Sequence, residues 1–211
     1  DKFLVQDIQA LIEQLNSFGF GSVLIFLGIG VVLTLLVQSS SAAMGITIIV
    51  AINGWINFEI AAAIVLGENI GTTVTAWLAS LGANLNAKRA ARAHFLFNVA
   101  GVCWMLLLFY PFIAMVDGVM PGSIHQKDVT AQEIAVFRKV QSLEAEGMGD
   151  ENIKKAIVDL NIPLHLSLFH TLFNLCNIGL LIGFSPHLGR LAVKLVNPRT
   201  SNGKEPVPGS L

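Results

Sequence analysis

The sequence predicts an all-α integral membrane protein built from a re-entrant hairpin, a discontinuous transmembrane helix and two further spans. Three observations carry this. Only 13% of the 211 residues are charged and 54% are hydrophobic, whereas soluble domains carry about 25% charged residues. The charges are also segregated: between Gln14 and Ala87 only Glu59 and Glu68 are charged, and Ala93–Val116 and Leu160–Gly189 contain no Asp, Glu, Lys or Arg. Such runs meet the roughly 20 apolar residues that a bilayer-spanning helix needs. Finally, two polar interruptions, at 38–41 and 67–73, fall inside apolar segments rather than between them.

Each element follows in order. Over residues 1–20, Leu4, Ile8, Leu11, Ile12, Leu15 and Phe18 share one helical face, which predicts an amphipathic helix lying in the membrane interface. Residues 21–52 are apolar apart from Gln38-Ser39-Ser40-Ser41. A straight helix of that length would run roughly 48 Å, beyond a hydrocarbon core of about 30 Å, so the chain is expected to break at the quartet, as the tip of a re-entrant hairpin or, alternatively, within a long tilted crossing. Trp55–Leu66 and Val74–Leu81 then flank Gly67-Glu68-Asn69-Ile70-Gly71-Thr72-Thr73. Its two glycines predict a second break, of the kind membranes tolerate where it is buried or lines a wet cavity; helix packing through Gly67-x-x-x-Gly71 is the alternative. Residues 21–82 thus form the core unit. A basic loop (83–93), a span (94–116), a polar helical hairpin (117–162), a second span (163–184) and a tail (185–211) complete the chain. Thr130 and Glu133 have capping-box spacing, and Ile153, Ile157 and Leu160 mark one side of the hairpin's second helix.

Lys88, Arg89 and Arg92 before the first plain span, and Arg190, Lys194, Arg199 and Lys204 after the last, place the loop and the tail in the cytoplasm. The hairpin, with eight acidic and five basic residues, lies outside. Thirteen Lys+Arg against fourteen Asp+Glu leave no basic excess for nucleic acid. Two cysteines, Cys103 and Cys176, sit in apolar runs and make no disulfide framework. The chain begins at Asp1 with no signal-peptide pattern, and is expected to be a segment of a longer protein.

Chemistry is expected at the two interruptions. Gln38, Ser39, Ser40 and Ser41 supply donors and acceptors, and a helix break adds free backbone groups able to hold a cation or an oxyanion. Asn69, Thr72 and Thr73 offer oxygens at the second break. Glu68, a carboxylate at membrane depth, is a candidate for cation or proton coupling. No Lys or Arg lies between Phe3 and Ala87, so a bound anion would need helix N-termini or co-bound cations to offset its charge. His94-Phe-Leu-Phe-Asn98 and His170-Thr-Leu-Phe-Asn174 repeat His-x-Leu-Phe-Asn 76 residues apart. No third ligand stands at metal spacing, and interhelical hydrogen bonding is their expected role. Gly179-x-x-x-Gly183 is expected to mark close helix packing.

Leu36-Val37-Gln38-Ser39-Ser40-Ser41-Ala42, followed by Leu66-Gly67-Glu68-Asn69-Ile70-Gly71-Thr72-Thr73-Val74-Thr75-Ala76, resembles the type II sodium–phosphate cotransporter family. The run Ala93–Asn98 fits its bacterial branch. The resemblance implies one half of an inverted-repeat secondary transporter, the second repeat with its following spans. Its partner would be the missing first repeat or a second copy in a homodimer. It further implies sodium-coupled uptake of inorganic phosphate across the cell membrane, with no enzyme activity and no cofactor beyond Na+. Ser39, Ser40 and Ser41 would bind phosphate and Na+, Gln38 would brace the tip, and Asn69, Thr72 and Thr73 would add oxygens. Alternatives are a transporter of another oxyanion or a carboxylate, a sensor subunit acting through the hairpin, and an intramembrane serine hydrolase. The Gly-x-Ser-x-Gly elbow of many serine hydrolases is missing from the sequence.

Overall fold

The computed structural model describes residues 2–141 and 147–196. Arg199 and Lys204 of the tail, and 142–146 of the expected hairpin, lie outside the described residues. The described residues form nine α-helices: α1 (Lys2–Asn16), α2 (Phe20–Val37), α3 (Ser40–Ile52), α4 (Phe58–Ala79), α5 (Leu85–Leu107), α6 (Phe109–Val119), α7 (Ala131–Val140), α8 (Asp150–Leu181) and α9 (Ser185–Leu195). Ile12 and Leu15 of α1 pack against the core while Ile8 and Leu11 stay exposed. The Ser22 hydroxyl then ties α2 to the Leu15 carbonyl at 2.7 Å.

The turn expected at 38–41 is confined to two residues. Gln38 takes the left-handed conformation (φ 56, ψ 21) and donates its backbone N–H to Thr34 O at 2.7 Å, ending α2 as a C-cap. Ser39 is extended and caps α3, its Oγ accepting Ala42 N–H at 3.3 Å.

The break expected at 67–73 is absent: α4 runs unbroken from Phe58 to Ala79. Its polar residues bond back to their own helix. Asn69 Nδ2 donates to Val65 O (2.9 Å), Thr72 Oγ1 to Glu68 O (2.8 Å) and Thr73 Oγ1 to Ile70 O (2.7 Å), so no backbone opening is needed to satisfy them. The glycines serve contact instead. A Cβ on Gly67 would collide with the Leu27 carbonyl of α2, one on Gly30 with the Ile64 carbonyl of α4, and one on Gly71 would stand 2.7 Å from Thr34 Cβ. Small residues thus let the two backbones touch. Helix α4 is the centre of the fold, buried from Ile60 through Glu68.

Other boundaries move as well. The basic loop expected over 83–93 is helical from Leu85, because Asn84 caps α5 with its side chain accepting Ala87 N–H at 2.9 Å, and the span expected over 94–116 is divided at Leu108 into α5 and α6. Pro111 has no N–H to pair with the Leu107 carbonyl, and its ring crowds that carbonyl. The expected hairpin and last span merge, because α8 passes through Pro163 without interruption. Thr130 and Glu133 form the expected capping box. On α8, Ile153, Ile157, Val158 and Ile162 are buried, whereas Leu160 is exposed. The close packing expected at Gly179 and Gly183 does not occur: a Cβ on either would meet no atom within 4 Å among the described residues. Helix α9 returns along α5, where Arg89 Nε donates to Val196 O at 3.4 Å.

An aromatic cluster joins the helices at the core. Phe58 of α4 meets Phe169 of α8 edge-on at 6.2 Å between centroids, Phe112 of α6 meets Phe169 at 5.5 Å, and Trp104 of α5 lies 6.1 Å from Phe173 of α8. These spacings suit edge and tilted ring pairs.

Candidate functional site

The start of α3, the polar face of α4 and the inward faces of α5 and α8 enclose a cleft of about 540 Å³. Such a size is ordinary for small-ligand sites. Its lining includes Ser40 and Ser41 from α3, Glu68, Asn69, Thr72 and Thr73 from α4, His94 and Asn98 from α5, and His170 and Asn174 from α8. Two interruptions nearly thirty residues apart in sequence therefore meet at one site.

Helix geometry explains why α4 contributes as it does. At 100° per residue, Gly67 and Gly71 lie together on one face, and Glu68, Asn69, Thr72 and Thr73 fall on the remainder. The glycines press on α2, and that same contact turns the polar side chains to the cleft. Glu68 is 3% exposed, and its Oε1 accepts the Thr47 hydroxyl of α3 at 2.7 Å. The bond links the two helices that carry the expected site residues.

Not every expected residue reaches the cleft. Gln38 is exposed and absent from the lining; its role here is the backbone turn. Ser39 is likewise outside the lining, with its Oγ engaged by Ala42 N–H and lying 3.2 Å from Ser41 Oγ. Conversely, the His-x-Leu-Phe-Asn pair belongs to the site. Its expected interhelical bonds do not form among the described residues: Asn98 Nδ2 donates to His94 O (3.2 Å) and Asn174 Nδ2 to His170 O (2.8 Å), each within its own helix. The repeat of one motif on two helices was the available signal. The interhelical amide is Asn177, which accepts Trp104 Nε1–H at 3.2 Å.

The electrostatics are one-sided. Among the described residues Glu68 is the only carboxylate in the lining, and no Lys or Arg joins it. Nor do the described residues hold a cluster of three His, Cys, Asp or Glu side chains poised for a metal. What the cleft offers is hydroxyls, amides and imidazoles around one carboxylate, a set suited to hard cations and oxyanions.

Four helical segments are long and apolar enough to cross a bilayer: Phe20–Val37, Phe58–Gly82, Leu85–Leu107 and Asp150–Leu195. With a polar cleft held among them, they define a multi-pass, all-helical membrane protein. The Na+/Pi-cotransporter family model matches residues 2–117, more than half of the chain, and the chain belongs to that family. The family is one of transporters, not enzymes. Uncharacterized protein YqeW of Bacillus subtilis is 41% identical over 90 residues, 43% of this chain and 28% of that protein. Sodium-dependent phosphate transport protein 2C of Rattus norvegicus is 36% identical over 135 residues, 61% of this chain and 22% of that protein. Sodium-dependent phosphate transport protein 2B of Homo sapiens is 43% identical over 88 residues, 39% of this chain and 12% of that protein. The chain thus spans less than a third of the length of each of these relatives. No solved structure matches it.

Proposed function

We propose that this chain is one repeat, with its following spans, of a secondary transporter that couples Na+ entry to uptake of inorganic phosphate. The observation that carries the reading is the cleft: a serine-bearing helix start facing oxygen-rich walls with no Lys or Arg among the described residues of the lining. Phosphate would be held at the first turn of α3, by the hydroxyls of Ser40 and Ser41 and the N–H groups there. A helix N-terminus contributes at most about 2 kcal/mol toward an anion in a partly buried site. One Na+ about 4 Å from the anion adds roughly 4 kcal/mol at an effective dielectric of 20. The anion therefore depends on its cation, which is coupling stated as an energy. Na+ is the coupling ion, and no other cofactor is required.

In this reading α2 and α3 form a re-entrant hairpin with its tip at Gln38–Ser41. A first repeat, inverted in the membrane, supplies the other half of the site, as the chain's short coverage of its relatives supports. Glu68, Asn69, Thr72 and Thr73 supply cation oxygens, while Ser39 and Gln38 shape the tip. Helix α1 lies in the interface, and the basic first turns of α5 (85–93) and the C-terminal tail face the cytoplasm of the cell that carries the protein in its plasma membrane.

The test is Ser40→Ala in the full-length protein. Na+-dependent uptake of labelled phosphate should be abolished at unchanged membrane abundance, and unaltered uptake would remove the tip from the site. Competition by arsenate, sulfate and succinate separates phosphate transport from transport of another oxyanion or a carboxylate.

A further inference from the structure

The His-x-Leu-Phe-Asn repeat acquires a role once the hydrogen bonds of the cleft are counted. Three asparagines line it, Asn69 on α4, Asn98 on α5 and Asn174 on α8, and all three use the same device. Each Nδ2 donates to the carbonyl four residues earlier, Val65, His94 and His170 respectively, at 2.8–3.2 Å. Of the two ends of an amide only Nδ2–H can donate to a carbonyl, so the contact fixes which end of each amide is nitrogen. The Oδ1 atoms are then the free ends, and none accepts a hydrogen bond among the described residues. Thr72 and Thr73 repeat the pattern, their hydroxyl protons committed to Glu68 O and Ile70 O, which leaves oxygen lone pairs outward. Asn177 provides the contrast. It is 1% exposed, lies outside the cleft, and spends its Oδ1 on Trp104.

We propose that Asn98 and Asn174 are cation ligands: with Asn69 they give the cleft three amide oxygens from three different helices, which hold Na+ beside the Ser40–Ser41 tip. Amide oxygens with their nitrogens tethered are pre-oriented acceptors, and hard cations take such oxygens. The tethers also lower the ordering cost of binding. The two copies of the motif thereby bring α5 and α8, which lie outside the 21–82 core unit, into the ion site. This rests on the reading of the cleft as the ion and anion site, and it assigns the flanking helices a share in ion affinity.

The experiment uses the full-length protein, purified in detergent and reconstituted in proteoliposomes. Thermal stabilisation by Na+, with choline as the replacement ion and phosphate absent, reads cation binding alone. Phosphate uptake reads transport. Asn98→Leu and Asn174→Leu remove the oxygen at similar volume, and each should raise the half-saturating Na+ about tenfold or more, equivalent to about 1.4 kcal/mol. Asn98→Thr and Asn174→Thr keep a back-bonding group and an oxygen, and should fall between wild type and Leu. If a Leu variant misfolds, Asn98→Ala and Asn174→Ala remove the same oxygen, and wild-type Na+ dependence in them overturns the assignment equally. Wild-type Na+ dependence in the monodisperse Leu variants overturns the assignment, as does Na+ dependence in the Thr variants no better than in Leu, or a change confined to half-saturating phosphate. If wild type shows the Na+ shift, the Leu variants lose it and phosphate is not transported, the cation ligands stand and the phosphate reading falls. If wild-type uptake is Na+-dependent and the Leu variants retain it unchanged, the transport reading stands and this assignment falls.

Discussion

Two glycines two residues apart on α2 should respond to alanine in opposite directions. At Gly30 a Cβ would enter the Ile64 backbone of α4, whereas at Gly28 no atom lies within 4 Å. Gly67, across the same interface, meets the Leu27 carbonyl. Alanine in place of a helical glycine gains about 0.8–1 kcal/mol of helix propensity. That gain is all that Gly28→Ala experiences, so it should stabilise by up to about 1 kcal/mol. Overpacking costs about 1–3 kcal/mol where side chains can adjust. Here the obstacle is backbone on both sides, so no rotamer relieves it and the helices must part. Taking the upper figure, Gly30→Ala and Gly67→Ala should each lose about 2 kcal/mol net, a shift of roughly 30-fold in the folded ratio. Equilibrium unfolding in mixed micelles, titrated with a denaturing detergent, reads all three variants on one scale. The packing argument is refuted if Gly67→Ala is as stable as wild type, or if Gly28→Ala and Gly30→Ala shift together.

Two further outcomes are expected. Thr47→Val removes the 2.7 Å hydroxyl contact to the buried Glu68 and should lower stability by about 1–3 kcal/mol, while Thr47→Ser should not; equal stability of the Val variant would show that the bond holds nothing. On the proposed topology, Gln132→Cys in a background without Cys103 and Cys176 should react with a membrane-impermeant maleimide in whole cells, and Asn86→Cys only after permeabilisation. The reverse pattern would invert the orientation.

Charge placement makes the membrane class readable from sequence, because charge is expensive in hydrocarbon wherever the fold puts it. The turn at Gln38–Ser39 is readable for a related reason: the 32 residues of 21–52 would make a helix longer than the bilayer is thick, and the polar quartet within them is where a turn costs least. The break expected at 67–73 fails because polarity in a helix has two outlets. Asn69, Thr72 and Thr73 satisfy themselves on their own backbone, and Gly67 and Gly71 meet a neighbour that only the tertiary fold supplies. The same blindness runs the other way at Gly179 and Gly183, where identical spacing meets nothing among the described residues. Spacing records the permission for close approach, and the partner decides whether it is used. Similarly, the His-x-Leu-Phe-Asn repeat marks Asn98 and Asn174 apart from Asn177, but that Asn98 lines the cleft while Asn177 clamps α5 to α8 is decided by what each faces after the helices have packed.

The α2–α4 contact is then both a stability element and a determinant of site geometry. Only Gln38 and Ser39 separate the end of α2 from the start of α3, so whatever fixes α2 fixes the Ser40–Ser41 tip. Gly67 and Gly71 fix α2 on α4, and they stand next to Glu68 and Thr72 in the sequence, so the tip and the wall of oxygens are referenced to one contact. Thr47–Glu68 closes the loop by tying α3 back to α4. A methyl group that parts α2 from α4 would carry the tip away from its wall, even though neither glycine lines the cleft. Ion affinity in Gly67→Ala should consequently fall along with stability, whereas Gly28→Ala, which meets nothing on α4, should leave it untouched.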